Sequence, residues 1–310
     1  MSVVIQSEGA NASKHERLQQ LKTYLGSHII GQDHVIDEMC PWLHAGEFDL
    51  RHPRNPTSFL FMGPTGSGKT ETARLVSQYL DRTLIRVDMS EFTSPETIRG
   101  LLGDVNSPRG LLGQRVDASN GSGVLLFDEI EKAHPRVLDI FLQVLHPGRV
   151  TLGDHSTLDL SPYYIFATAN IGSSEILHFE KTRFTTMQRV VIKRAMELLR
   201  VEVVNRFSLL SVFAQLTHSD LMAIAELETV QELERLKAQG YALSCDHSVI
   251  PFILSRGYDK RFGARRIQNT VQRYVHAALT SAVLAGGATS GELRHDSQLG
   301  ALVISEGHRV

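Results

Sequence analysis

Eight residues constrain this chain more than any others: Gly63-Pro64-Thr65-Gly66-Ser67-Gly68-Lys69-Thr70, which fit the pattern GxxxxGK[ST]. Glycines at these places let the backbone curl so that successive N–H groups face phosphate oxygens, and a helix opening at Lys69 adds the positive end of its dipole. The motif works only between a buried strand and a helix. The flanks meet that condition: Ser58–Met62 is a short apolar run, and Lys69 to about Leu80 reads as a helix. The motif assigns Lys69 to the β- and γ-phosphates of a nucleotide and the Thr70 hydroxyl to Mg²⁺.

The rest of the first two thirds is consistent with such a core. Thr83–Met89 reads as a second strand and Val124–Phe127 as a third, the latter running straight into Asp128 and Glu129. Four apolar residues followed by two carboxylates suit a buried strand whose tip holds Mg²⁺ through Asp128 and polarises an attacking water through Glu129. Tyr163–Ala167 predicts another strand, and Asn170 just beyond it offers a neutral amide to hold that water. Pro135 opens a helix expected to run to Leu145. Upstream, Arg17–Leu25 and Asp33–Trp42 have helical spacing, and Phe48–Pro56 reads as a loop. Strands alternating with helices imply a parallel sheet covered on both faces.

Beyond Val212 the pattern is mostly helical. Ser219–Gly240, His247–Arg256 and Ala264–Ala285 predict helices, the first with Thr217 and Asp220 at capping-box spacing, and Ala301–Ser305 a final strand. The expectation is an α/β fold: a P-loop αβα sandwich with a parallel sheet, followed by a smaller, mostly helical domain. The expected division is a disordered segment 1–14, a nucleotide-binding domain 15–211 and a helical domain 212–310.

Composition excludes several function classes. Among the 310 residues, 32 Lys and Arg against 34 Asp and Glu give a formal charge of −2, which argues against a protein that coats nucleic acid. A basic cluster, Arg256, Lys260, Arg261, Arg265, Arg266 and Arg273, is read as site and interface charge. Cys40 and Cys245 are far apart and form no CxxC, so reduced thiols are expected. The fourteen histidines are scattered without HExxH, and Cys245 with His247 makes no zinc set. With no signal peptide pattern and no apolar run of about 20 residues, the expected location is the cytoplasm, with no membrane partner.

An ordered set of motifs then makes the reading specific: IIGQD at 29–33, FLFMGPTGSGKTETA at 59–73, DMSEF at 88–92, LLFDEIEKAHP at 125–135, GRVT at 148–151, TANIGSS at 168–174, VVNRF at 203–207 and GYDKRFGARRI at 257–267. In these the chain resembles the AAA+ ATPases of the Clp/heat-shock-100 group, and most of all the second, C-terminal module of ClpB/ClpA-type unfoldases. The resemblance implies ATP as substrate with Mg²⁺. It implies Arg206 as an arginine finger acting in trans on the neighbouring subunit of a homo-oligomeric ring, usually a hexamer. It further implies Arg265 as the sensor arginine of the helical lid, and Ile29 and Ile30 as lining of the adenine pocket.

The sequence also departs from that group. Its threading members carry an aromatic pore loop between the second strand and the Walker B strand, whereas here no aromatic residue lies between Phe92 and Phe127. No recruitment domain is expected ahead of residue 15, and no peptidase-docking loop is found between Asn170 and Arg206, which argues against a Clp peptidase partner. The leading expectation is an ATP-hydrolysing single ring that remodels a specific protein substrate or co-encoded partner. A nucleotide-gated oligomeric switch or scaffold is the alternative, and a nucleic-acid-stimulated ATPase ranks below both.

Overall fold

The computed structural model describes residues 2–50, 55–178, 184–258, 263–286 and 290–305. They fall into two compact units, one made of the residues up to Pro64 together with Gly68–Ala214, the other of Thr65–Ser67 together with the residues from Gln215 on. Phe213 and Ala214 stay with the first unit because both are tied to it. The Phe213 N–H donates to the Met62 carbonyl at 2.8 Å, and Gln32 exchanges two side-chain hydrogen bonds with the Ala214 backbone at 2.9 and 3.0 Å.

In the first unit the strands are β1 Thr57–Met62, β2 Leu84–Asp88, β3 Val124–Asp128, a small antiparallel pair β4 Arg149–Thr151 and β5 Thr157–Asp159, then β6 Tyr164–Ala169 and β7 Leu209–Val212. The main sheet has the order β2-β3-β6-β1-β7 with every pairing parallel. β1, β3 and β6 are buried at every position, which is why their sequences read as unbroken apolar runs. Successive residues face opposite sides of a sheet. Leu60, Met62, Leu125, Phe127, Ile165 and Ala167 therefore enter one core, and Phe59, Phe61, Val124, Leu126, Tyr164 and Phe166 the other.

Helices α1 Ser2–His28, α2 Asp33–Glu47 and α3 Lys69–Tyr79 supply the second of these cores through Leu18, Leu21, Leu25, Val35, Ile36, Met39 and Val76. α1 starts at Ser2, inside the segment expected to be disordered. Extending a helix one residue at a time is far easier than nucleating one, and the packed stretch from Leu18 to Leu25 provides the nucleus. α2 continues past Trp42 and through Pro41 to Glu47, because its buried face goes on to Leu43 and Gly46. The opposite core is covered by α4 Ile98–Leu102, α5 Gly110–Asp117, α6 Pro135–Leu138, α7 Phe141–Val144, α8 Ser173–His178, α9 Phe184–Leu199 and α10 Val201–Val204. The single helix expected over 135–145 is thus two short ones.

The second unit has helices α11 His218–Ala238, α12 Val249–Gly257 and α13 Arg265–Leu284 around a core that includes Leu221, Phe252, Ile267, Val271 and Val275. The capping box at Thr217 and Asp220 is present, with both hydrogen bonds formed. Beside the helices lies a three-stranded sheet, β10-β9-β8, built from β8 Ala242–Cys245, β9 Ser290–Asp296 and β10 Ala301–Ser305. Only β10 was visible as a pattern. β8 is largely exposed, and β9 buries only Leu293. Lys260 and Arg261 of the basic cluster lie outside the described residues. Among the described residues, no helix is long and apolar enough to cross a membrane.

The loop that replaces the expected aromatic pore segment is tightly folded. The Asp104 carboxylate accepts from the N–H groups of Asn106 and Ser107 at 2.8 and 2.9 Å. The Gly153 and Asp154 N–H groups donate to Leu102 and Pro108 carbonyls at 2.9 and 3.1 Å, locking this loop to the β4–β5 connection. Val105 stands at its tip, 95% exposed. Gly103 permits the approach: φ is +101°, and a Cβ there would lie 2.3 Å from the Pro108 carbonyl oxygen. Gly103→Ala should destabilise the unit by at least about 1–3 kcal/mol, the usual cost of a glycine-only backbone conformation. By contrast, Gly100→Ala in α4, where a Cβ meets nothing within 4 Å, should be neutral or stabilise by up to ~1 kcal/mol. Denaturant unfolding of the two variants checks both values.

Candidate nucleotide site

The strand order sets the site. β6 lies between β1 and β3, so Asn170 at its end falls between the P-loop that follows β1 and the carboxylates that follow β3. Ligands of open parallel sheets bind at these carboxyl ends. The Lys69 ammonium donates to the Gly63 and Pro64 carbonyls at 2.8 and 2.7 Å and to Asn170 Oδ1 at 3.1 Å. The Asn170 amide nitrogen donates to Glu129 Oε1 at 3.1 Å. Lysine, asparagine and catalytic carboxylate thus form one continuous line of hydrogen bonds.

Lys69 is buried, and burial pushes its pKa down to about 8; the Glu131, Asp128 and Glu129 carboxylates oppose that shift. An ammonium held dry at the start of an 11-residue helix is a strong anion site. Gly63 makes the turn possible: φ is +132°, and a Cβ would lie 2.6 Å from the Phe213 carbonyl oxygen. Thr65 and Gly66 are half-buried and Ser67 is buried. Ile29 is buried beside Gly68, where a Cβ would lie 3.6 Å from its Cγ2, and Ile30 is half-buried.

Thr70 Oγ1 donates to Asp128 Oδ1 at 3.0 Å. Two oxygens this close, a hydroxyl and a carboxylate, form a hard donor set that fits Mg²⁺. Four residues that the sequence reading missed complete the arrangement. Arg86, on the edge strand β2, pairs with Asp128 Oδ2 at 2.7 Å. Thr168 donates to Asp128 Oδ1 and accepts the Glu129 N–H at 3.0 Å. Glu131 accepts from Asn170. Lys132 pairs with Glu129 Oε2. Three carboxylates, Asp128, Glu129 and Glu131, are therefore set among three cations, Lys69, Arg86 and Lys132.

Arg206 stands apart from this network. It is exposed and donates to the carbonyls of Leu142 and His146, the latter at 2.8 Å. Arg265 opens α13 in the second unit and is exposed.

The family model for the AAA domain (Cdc48 subfamily) matches residues 54–210, and that for the C-terminal, D2-small domain of ClpB protein matches residues 216–294. The chain belongs to the AAA ATPase family. Among similar proteins, Chaperone protein ClpB 2 of Nostoc sp. is 33% identical over 293 residues, 90% of this chain and 33% of that protein. Chaperone protein ClpB of Aquifex aeolicus is 33% identical over 295 residues, 89% of this chain and 29% of that protein. A closed-state reconstruction of Hsp104 with ATPγS and FITC casein superposes with a TM-score of 0.85 at 28% identity, covering 94% of this chain and 52% of that one. The S. cerevisiae Hsp104–ADP complex gives 0.84, also at 28% identity, over 95% and 53%. This AAA chain thus spans about a third of the length of the curated relatives and about half of each Hsp104 chain.

Thr168→Val should leave the N–H of half-buried Glu129 without its acceptor. The expected loss of stability is about 1–3 kcal/mol, read by denaturant unfolding, and Thr168→Ser should recover most of it.

Proposed function

We propose that this AAA chain hydrolyses ATP as a subunit of a homo-oligomeric ring and uses the cycle to remodel a protein partner. The observation that carries the proposal is the line Lys69–Asn170–Glu129 beside the Thr70–Asp128 pair. In this reading the P-loop 63–70 binds the phosphates, with Lys69 on the β- and γ-phosphoryl oxygens. Glu129 takes the proton of the attacking water, and Asn170 holds that water against the γ-phosphoryl group. Mg²⁺, when bound at Thr70 and Asp128, supplies positive charge to the phosphoryl oxygens.

Arg206 is assigned to the nucleotide of the neighbouring subunit. Its exposure, and its hydrogen bonds to backbone carbonyls away from Lys69, Asp128, Glu129 and Asn170, support a role outside its own chain's site. Arg265 is assigned to sensing the γ-phosphate, and Ile29 and Ile30 to the adenine pocket, on the motif match alone. A protein substrate is favoured by the relatives named chaperones and by the Hsp104 structure with FITC casein. The compact loop with Val105 at its tip offers one small apolar contact, which suits a specific partner better than a broad range of unfolded chains.

Glu129→Gln should bind ATP about as tightly as the wild type while losing about 100-fold or more of its turnover; near-normal steady-state hydrolysis would remove Glu129 from the mechanism. The trans role of Arg206 has its own test. Arg206→Ala and Glu129→Gln subunits should each be inactive alone. Mixed, they create interfaces holding an intact Glu129 and an intact Arg206, so activity should return. If mixing restores nothing, while mixed assembly is confirmed by cross-linking, the finger does not act in trans.

A further inference from the structure

We infer that Glu131 is a positioning residue for hydrolysis, one that fixes which end of the Asn170 amide faces Glu129 and which faces Lys69. The inference rests on the proposed ATPase reading of this site.

One carboxylate oxygen does the holding. Glu131 Oε1 accepts from the Asn170 backbone N–H at 3.0 Å and from its side-chain Nδ2 at 3.1 Å, so the backbone and the amide of the same residue are tied to a single atom. The other Nδ2 hydrogen goes to Glu129 Oε1 at 3.1 Å, and Oδ1 accepts from Lys69 Nζ at 3.1 Å. A carboxylate only accepts and an ammonium only donates. Turning the amide by 180° would set its oxygen against two carboxylates and its NH₂ against an ammonium, converting three attractive contacts into three repulsive ones. Glu131 is what makes this orientation independent of Glu129. When Glu129 takes a proton or turns towards water, its hold on Nδ2 weakens, and Glu131 remains.

The local backbone delivers both carboxylates to one amide. Glu129 sits in the left-handed region, with φ +60° and ψ +50°, and starts a single 3₁₀ turn, Ile130–Lys132. The Lys132 N–H closes that turn on the Glu129 carbonyl at 3.0 Å, and fully buried Ile130 anchors it. Residues 129 and 131 consequently reach the same side chain. The second oxygen, Glu131 Oε2, is buried and has no hydrogen-bond partner among the described residues. Leaving a buried acceptor unpaired is unfavourable, so a charged acceptor here is poorly explained by stability alone. Its acceptor-only chemistry explains it.

The experiment is a double-mutant cycle on the full chain, with kcat and KM for ATP measured for wild type, Glu131→Ala, Asn170→Ala and the double variant. Glu131→Ala should lower kcat about 10–100-fold with KM changed less than about threefold, as expected for misplacement of a positioned group. In the Asn170→Ala background the same substitution should cost less than about twofold, because the residue it positions is gone. Glu131→Gln, which keeps an acceptor but loses the exclusion of the flipped amide, should fall between. If Glu131→Ala keeps kcat within about twofold of wild type, or costs as much without Asn170 as with it, the role is overturned. Should the alanine variant fail to fold, the cycle is run with Glu131→Gln and decided on the same comparison. A wild-type chain that does not hydrolyse ATP overturns the proposed function and this role together. An active wild type, an inactive Glu129→Gln and an unaffected Glu131→Ala overturn this role alone.

Discussion

A buried ammonium is the constraint on which the first unit depends. Lys69 has given up water for two backbone carbonyls and one amide oxygen, and a desolvated cation is tolerated only where compensating charge is fixed nearby. The parallel sheet provides that charge. With β6 between β1 and β3, the chain ends that follow these strands meet above one edge of the sheet, and the carboxylates of 128, 129 and 131 arrive without any long-range loop. The two apolar cores on either side of the sheet hold the strands in that order. The packing of Phe59, Phe61 and Phe166, with ring centroids 4.7–6.2 Å apart, is therefore part of how the polar groups are placed.

Much of this was legible in the sequence because it depends on local pattern. The P-loop, the strand running into Asp128-Glu129 and the strand ending at Asn170 are each contiguous, and their apolar runs are the mark of strands buried on both faces. The capping box at Thr217 and Asp220 was equally readable, since its geometry spans four consecutive residues. What was not legible depended on geometry across strands. Thr168 is one polar residue in an apolar run, and only the pairing of β6 with β3 puts its hydroxyl between Asp128 and the Glu129 N–H. Arg86 lies on a strand whose burial alternates and its side chain is 53% exposed, yet it reaches Asp128 across the sheet. Glu131 could not be assigned without the left-handed conformation of Glu129, which no local pattern announces for a non-glycine residue.

In the second unit the helices showed and two strands did not. α11 and α13 are long and bury a continuous stripe, so their period is plain. β8 and β9 bury too few side chains to alternate visibly, and β9 is recruited by pairing with β10, whose Leu302 joins the core.

The loop that carries Val105 is joined to more than its own turn. Gly103, Pro108 and Gly153 are interlocked by close backbone contacts. The β4–β5 connection it grips leads back through Gly148, whose carbonyl accepts the Leu160 N–H at 2.7 Å and whose own N–H donates to Gln143 at 3.1 Å, to His146, the carbonyl that holds Arg206. The loop that carries Val105 and the carbonyl that holds Arg206 thus belong to one continuous stretch of hydrogen-bonded backbone.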